Sequence, residues 1–387
     1  MKREFIFINQ SAGTLFLELV EDVSGQIEQL YLLTGTKVNK DIPHVRIMKV
    51  PSYNKSSIIK RVWSWLFFSV VAVKEIMRIK RDVPILVVSN PPVLLWLVCL
   101  VNVIRKQPYI VLVYDIYPDL LMGLRVLGPA NPLLHFWRLL SRVAYNRAKY
   151  VITLGHFMAG SLERYLDFKR KRQQLKVIPT WVDCEHFSPV DKENNHFAIK
   201  HRQQLKLTVM YSGNIGFSHD IRILIDVAKR LRSQSTFHFL IIGDGFHKSM
   251  LIEKALALKL DNVTFLSFQD EEMFPLSLAT ADVAVISIGR GVEKLMMPSK
   301  TYYAMAAGSA LLGLSVESND LSDVIARYEC GVNVLPDDVE GAVAALEHFL
   351  LDRDYLLRCR KNSREAAIKY FSRKRNTGQF CKLLDTI

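Results

Sequence analysis

The chain has 387 residues, half of them hydrophobic, and a formal net charge of +13 at pH 7. That length accommodates two domains at roughly 150 residues each. The five cysteines are odd in number and widely spaced, which excludes a disulfide framework and any Cys-pair metal motif and points to a reducing cytoplasm. The charge is uneven: residues 1–185 hold 26 Lys/Arg against 14 Asp/Glu (+12), and the remainder holds 25 against 24 (+1). The first half is therefore expected to face an anionic surface, either membrane or nucleic acid.

In chain order, residues 4–9 (EFIFIN) read as a buried strand, followed by a small-residue loop at 10–14 and a helix. A strand, loop and helix in this order form a phosphate-facing turn, with Gly13 as the candidate for close approach; a plain tight turn is the simpler alternative. The start MKREFIFINQ is too brief for a signal peptide. Residues 29–35 and 45–51 read as further strands. Residues 58–81 form a basic helix with apolar residues nearly all round, in which Trp63, Trp65, Phe67 and Phe68 lie between Lys60/Arg61 and Lys74/Arg78/Lys80/Arg81. That pattern fits a membrane interface and fits equally a core helix with snorkelling ends. Neither the apolar run at 63–73 nor that at 93–104 reaches the ~20 residues that span a bilayer. Strands are expected at 84–92, at 109–119 with Asp115 at its carboxyl end, at 150–155 and at 176–183. The cationic run 168–176 fits a solvated face.

Residues 188–206 are polar and lack apolar periodicity at their start, as a linker would. A second alternation of strands and helices begins at 207 and runs through strands at 237–245, 263–268, 282–288 and 310–315. Two such runs imply two Rossmann-like parallel-sheet domains facing each other across a cleft. The stretch 290–308 (RGVEKLMMPSKTYYAMAAG) leaves the strand at 282–288. Pro298, Ser299 and Lys300 open a helix there and Gly308 closes it. Free N–H groups at such a start, with Lys300 beside them, suit an anion, and Glu293 is available to grip hydroxyls. The alternative is a capped core helix with one surface lysine. No Asp-x-Asp metal motif is present.

The order and spacing of YSGNIGFSHD (211–220), IIGDG (241–245), FLSF (265–268), ATADVAV (279–285), MPSKTYYAMAAG (297–308) and CGVNVLPDD (330–338) resemble glycosyltransferase family 4, in its Pro-Ser-Lys type of bacterial polysaccharide enzymes. SNPP (89–92), YDIYPD (114–119), YNRAKYVITL (145–154) and VIPTWVD (177–183) extend the resemblance into the first half. It implies an α/β protein of the GT-B fold, with an acceptor-side domain at 1–187 plus 372–387, a linker at 188–206 and a donor-binding domain at 207–371. The final helix would cross back onto the first domain. It implies a retaining glycosyltransferase that moves a hexose, with glucose the first guess, from a UDP-sugar to a saccharide or lipid-linked acceptor in cell-surface polysaccharide synthesis.

Residue by residue, the resemblance gives Glu293 the donor-sugar hydroxyls. It places the Ser212-Gly213-Asn214 loop, Pro298, Ser299 and Lys300 at the diphosphate, and Gly243, Asp244 and Phe268 around the base. Asp115 becomes the acceptor-side acid. Four positions depart from the family pattern: Tyr303 stands where a second Glu holds the ribose, Asn214 and His219 stand where an Arg and a Lys hold the phosphates, and Tyr114 stands where a His often precedes the acceptor-side acid. Lys300, with Arg290, would supply the positive charge instead, so no metal or other cofactor is required. The leaving phosphate oxygen would take the acceptor proton, with no covalent nucleophile. The basic first domain would meet an anionic membrane surface, on the inner face of the plasma membrane. No nucleic-acid reading motif accompanies its charge. A non-catalytic nucleotide-sugar-binding subunit and a GT-B epimerase or hydrolase remain as alternatives.

Overall fold

The computed structural model describes residues 3–54, 56–167, 174–216 and 219–387. Positions 168–173 of the cationic run and 217–218 of the 211–220 motif lie outside them. The chain forms two compact units, Met1–Thr180 with Arg373–Ile387, and Trp181–Ser372.

The first unit is built on a seven-stranded parallel sheet of order β3-β2-β1-β4-β5-β6-β7. Its strands are β1 (Glu4–Ile8), β2 (Gln29–Thr34), β3 (Val45–Lys49), β4 (Ile85–Val88), β5 (Tyr109–Val113), β6 (Tyr150–Thr153) and β7 (Leu175–Val177). Every residue of β4 and β5 is buried, as a parallel sheet covered on both faces requires. The helix Ile58–Arg78 packs on Pro92–Arg105, which packs in turn on Pro132–Arg147. The helix Arg373–Leu384 packs against Thr14–Ser24, where Arg373 donates to both oxygens of Asp22 (2.8 and 3.0 Å) and to Glu21 (2.9 Å).

The second unit is built on a six-stranded parallel sheet of order β10-β9-β8-β11-β12-β13. Its strands are β8 (Leu207–Ser212), β9 (Phe237–Ile242), β10 (Val263–Leu266), β11 (Val283–Ser287), β12 (Ala310–Leu314) and β13 (Gly331–Val334). Chain order reverses between β8 and β11, and ligands of open α/β sheets collect beyond the carboxyl ends of strands at such a point.

Residues 188–206, expected as a linker, are instead packed into the second unit. They contain the helix His196–Lys200, with Phe197 and Ala198 buried. Asn195 caps this helix through Phe197 N (3.0 Å) and Ala198 N (3.2 Å) and donates to Leu276 O at 2.8 Å. Lys192 forms a buried ion pair with Asp282, which also accepts from Arg360 (3.1 Å) and from Thr208 N (2.8 Å). One turn of helix with two apolar anchors shows no periodicity, and its polar residues serve as cap and ion pair. That is why the segment looks like a linker in sequence. The chain leaves the first unit at Thr180 and returns at Arg373, seven residues before and one residue after the expected boundaries.

Burial lowers the Lys192 pKa, and Asp282 opposes that shift. Asp282→Asn would strand Lys192 without its counter-charge, so we expect the substitution to cost roughly 3 kcal/mol. Urea denaturation of the variant and the wild type measures this directly.

Candidate functional site

β8 and β11 are neighbours, and the segments that follow them are stitched together. His219 Nδ1 donates to Ser287 O at 2.9 Å, and Ser287 Oγ donates to Asp220 O at 2.6 Å. Because a carbonyl can only accept, His219 carries its proton on Nδ1 and leaves Nε2 as an acceptor. Burial, reinforced by Lys300, pulls the His219 pKa down to about 3, so the ring is neutral.

Lys300 opens the helix Lys300–Ala306 and points back at β8. Its Nζ donates to the Tyr211 hydroxyl at 2.8 Å and lies 4.1 Å from the centre of that ring. The Tyr211 hydroxyl donates in turn to Asn214 O at 2.5 Å. Desolvation brings the Lys300 pKa down to about 7. Among the described residues no carboxylate pairs with Lys300. A desolvated ammonium held by a phenol and a π-face, with no acid beside it, has an unmet demand for an anion.

The loops after β8 and β9 meet backbone to backbone. Gly213 has φ +146°, and a Cβ there would lie 3.2 Å from Lys300 Nζ. Gly243 has φ +140°, and a Cβ there would lie 1.9 Å from Gly213 O. Both positions favour glycine for their dihedrals, and Gly243 needs it for space as well. Gly213 N donates to Ile242 O (2.9 Å) and Ile215 N to Asp244 O (2.8 Å). Lys248 caps the carbonyls of Gly243 (2.7 Å) and Leu266 (3.1 Å).

The remaining expected residues of the second unit before Gly308 fall in four groups. Ser212 ends β8, Pro298 and Ser299 form the turn before Lys300, and Pro298 O accepts from Thr301 N (3.1 Å). Glu293 is buried, and its carboxylate accepts from Gly291 N at 2.7 Å, which fixes it in its own loop. Asn214 and Asp244 are exposed, and Phe268 presents an exposed ring beyond β10. Two residues have other engagements. Arg290 is exposed and pairs with Asp337, and the Tyr303 ring packs edge-on to Phe187 (4.8 Å) and against Phe274 (5.9 Å). Gly308 ends the helix with φ +78°, as expected. Arg360 donates to Gly308 O (2.9 Å) and Arg364 to Ala306 O (2.7 Å), placing cations at the negative end of that helix.

In the first unit, Gly13 precedes the helix Thr14–Ser24, is exposed, and has nothing within 4 Å of a would-be Cβ. Asp115 follows β5, and burial raises its carboxyl pKa to about 6. Its carboxylate has no hydrogen bond or ion pair among the described residues, while Ser89 Oγ donates to its carbonyl at 3.2 Å. Among the described residues no group of three or more His, Cys, Asp and Glu could hold a metal.

Sequence reasoning missed Tyr211, His219 and Lys248 as parts of this assembly. Tyr211 and His219 sit inside the 211–220 motif. A tyrosine at a strand end looks like core, and a histidine in a cation's place looks like a loss.

Residues 191–366 match the family model described as glycosyl transferases group 1. That span holds every second-unit residue expected at the donor site. The chain is similar to the probable glycosyltransferase WbjE of Pseudomonas aeruginosa, with 24% identity over 75% of this chain and 72% of that protein. It is also similar to the putative colanic acid biosynthesis glycosyl transferase WcaI of Escherichia coli K12, with 23% identity over 62% of this chain and 58% of that protein. Among solved structures, Anabaena HepE in complex with UDP and glucose superposes with a TM-score of 0.76 at 15% identity, covering all of both chains. The fold is therefore the GT-B fold expected from the sequence, with its two parallel α/β sheets.

An anion at Lys300 would raise the pKa of its ammonium from about 7. Binding below that pH then needs no proton uptake. Above it, affinity should fall by up to about tenfold per pH unit until the pKa of the complex is reached. Calorimetry of pyrophosphate binding, in buffers of different ionisation enthalpy, reads both the slope and the proton taken up.

Proposed function

We propose that the chain is a retaining glycosyltransferase that takes a hexose, with glucose as the first candidate, from a UDP-sugar. The acceptor is a saccharide or lipid-linked sugar in cell-surface polysaccharide synthesis. The observation that carries this is the half-buried, desolvated Lys300 at the β8/β11 reversal, with no carboxylate paired to it among the described residues, inside the span that matches the glycosyl transferases group 1 model. HepE, which shares the fold, was solved with UDP and glucose.

In this mechanism the donor diphosphate lies against Lys300 and the Gly213 and Gly243 backbone. The charge that develops on it as the sugar departs is met by a preorganised cation. With His219 neutral and Arg290 engaged by Asp337, Lys300 supplies that charge without a metal. Glu293, already oriented by Gly291 N, grips sugar hydroxyls, and Phe268 covers the base. The acceptor hydroxyl attacks from the face the diphosphate leaves, and the departing phosphate oxygen takes its proton. Asp115, with its raised pKa, orients the acceptor. The reaction takes place in the cytoplasm, where the five free cysteines stay reduced. It takes place at the membrane's inner face, and no helix among the described residues is long and apolar enough to cross the bilayer.

Calorimetry with UDP, UDP-glucose, UDP-galactose and UDP-N-acetylglucosamine tests the donor site. We expect Lys300→Ala to weaken UDP binding by about 100-fold; unchanged affinity would remove the diphosphate from this helix. Tight UDP binding with no sugar transfer to any acceptor would leave a non-catalytic subunit, and UDP release without an acceptor would leave a hydrolase or epimerase. Glu293→Gln should keep UDP affinity and lower turnover by about 100-fold or more, which steady-state rates on the preferred donor would reveal.

A further inference from the structure

The helices Ile58–Arg78, Pro92–Arg105 and Pro132–Arg147 lie side by side in the first unit, and each leaves large apolar residues in solvent. On the first, Trp63 is 66% exposed and Phe67 62% exposed, with Val70 beside them. The second exposes Ile104, and the third exposes Phe136 and Leu139. An open groove of about 740 Å³ runs along the first helix, lined by Trp63, Phe67, Val70 and Lys60 among others. The three helices together carry eight Lys/Arg and a single acid, Glu75, which is already paired with Arg78 at 2.6 Å. Lys60 and Lys74 are exposed and have no ion pair among the described residues.

We propose that this three-helix face docks on an anionic lipid bilayer, with Trp63 and Phe67 entering the interface and Lys60 and Lys74 meeting lipid phosphates. The inference deepens the membrane-side part of the proposed function and rests on it, while the donor site stands or falls separately. Three physical arguments select the bilayer. Apolar side chains interleaved with cations gain from a surface that offers both headgroup charge and acyl depth. A nucleic acid would reward the cations alone and leave the aromatics wet. A second copy of the chain would set one cationic face against another.

Vesicle flotation with the full chain tests the proposal. One vesicle set is phosphatidylcholine alone, and the other contains about one-third phosphatidylglycerol. The wild type should float with the anionic vesicles and release in high salt. Lys60→Glu with Lys74→Glu should lower partitioning by roughly fivefold or more per cation and flatten the salt dependence. Trp63→Glu with Phe67→Glu should lower it by at least about tenfold. Leu357→Glu, an exposed apolar site in the second unit, should leave partitioning unchanged. Circular dichroism and thermal melting of every variant confirm folding, and UDP calorimetry reads the donor site independently. The proposal is overturned by no flotation of folded wild type, or by flotation that the two face variants leave intact. It is also overturned by a lipid-free dimer that Trp63→Glu with Phe67→Glu dissociates, or by single-stranded RNA binding that needs only the lysines.

Discussion

A side chain on Gly243 would put its first carbon 1.9 Å from the carbonyl oxygen of Gly213, and the working edge of the second unit depends on that exclusion. Two strand ends can approach this closely only when both loops are bare backbone in left-handed dihedrals. The close approach fixes the Gly213–Ile242 and Ile215–Asp244 hydrogen bonds and turns the loop after β8 toward the helix that begins at Lys300. Gly213 also leaves room for Lys300 Nζ, which would otherwise meet a Cβ at 3.2 Å. The cation, the aromatic ring beneath it and the backbone around it therefore form one packed object.

Electrostatically that object is incomplete by itself. A lysine whose pKa falls to about 7 is paying a desolvation penalty that no acid among the described residues offsets. His219 lies close enough to Lys300 to be affected by its charge, but burial keeps the ring neutral, so it contributes shape and a hydrogen-bond acceptor. The positive charge is thereby concentrated in one side chain rather than spread over three. Its helix is held from the far end by Arg360 and Arg364, and Arg360 shares Asp282 with Lys192. A residue of the supposed linker and a residue of the helix Arg353–Tyr370 thus support the same short helix through one buried carboxylate.

Much of this was legible in the amino-acid order. Strands of a covered parallel sheet are largely apolar runs, so twelve of the thirteen strands among the described residues overlap stretches that read as strands, while β13 lies inside the CGVNVLPDD motif. The Pro-Ser-Lys helix start and its Gly308 stop were equally visible, because capping chemistry is local. Long-range partners were not. Nothing near Tyr211 in sequence announces Lys300, eighty-nine residues away, and nothing near Lys192 announces Asp282, ninety residues away. Tyr303 stands by motif spacing at the place of the family's ribose-holding Glu, and the packing of its ring against Phe187 and Phe274 is set by volume and not by pattern. Exposure was hidden too. The helix Ile58–Arg78 is apolar nearly all round in sequence, and only the packed structure separates buried Phe68 and Ile76 from solvent-facing Trp63 and Phe67.

The return of the chain to its first unit sets a timetable for synthesis. Arg373 closes onto Asp22 and Glu21 across more than 350 residues, and those carboxylates wait for it while the whole second unit is being made. On the ribosome, domains tend to fold as contiguous blocks in order of emergence. Here the second unit, contiguous from Trp181 to Ser372, can finish before the first. The N-terminal sheet must persist as a nearly complete intermediate, with the flank of Thr14–Ser24 uncovered, until Arg373–Leu384 arrives. Such a late, non-local closure is slow by loop-closure entropy. It makes the nascent chain, more than the finished protein, the state in which chaperone dependence and aggregation would be decided.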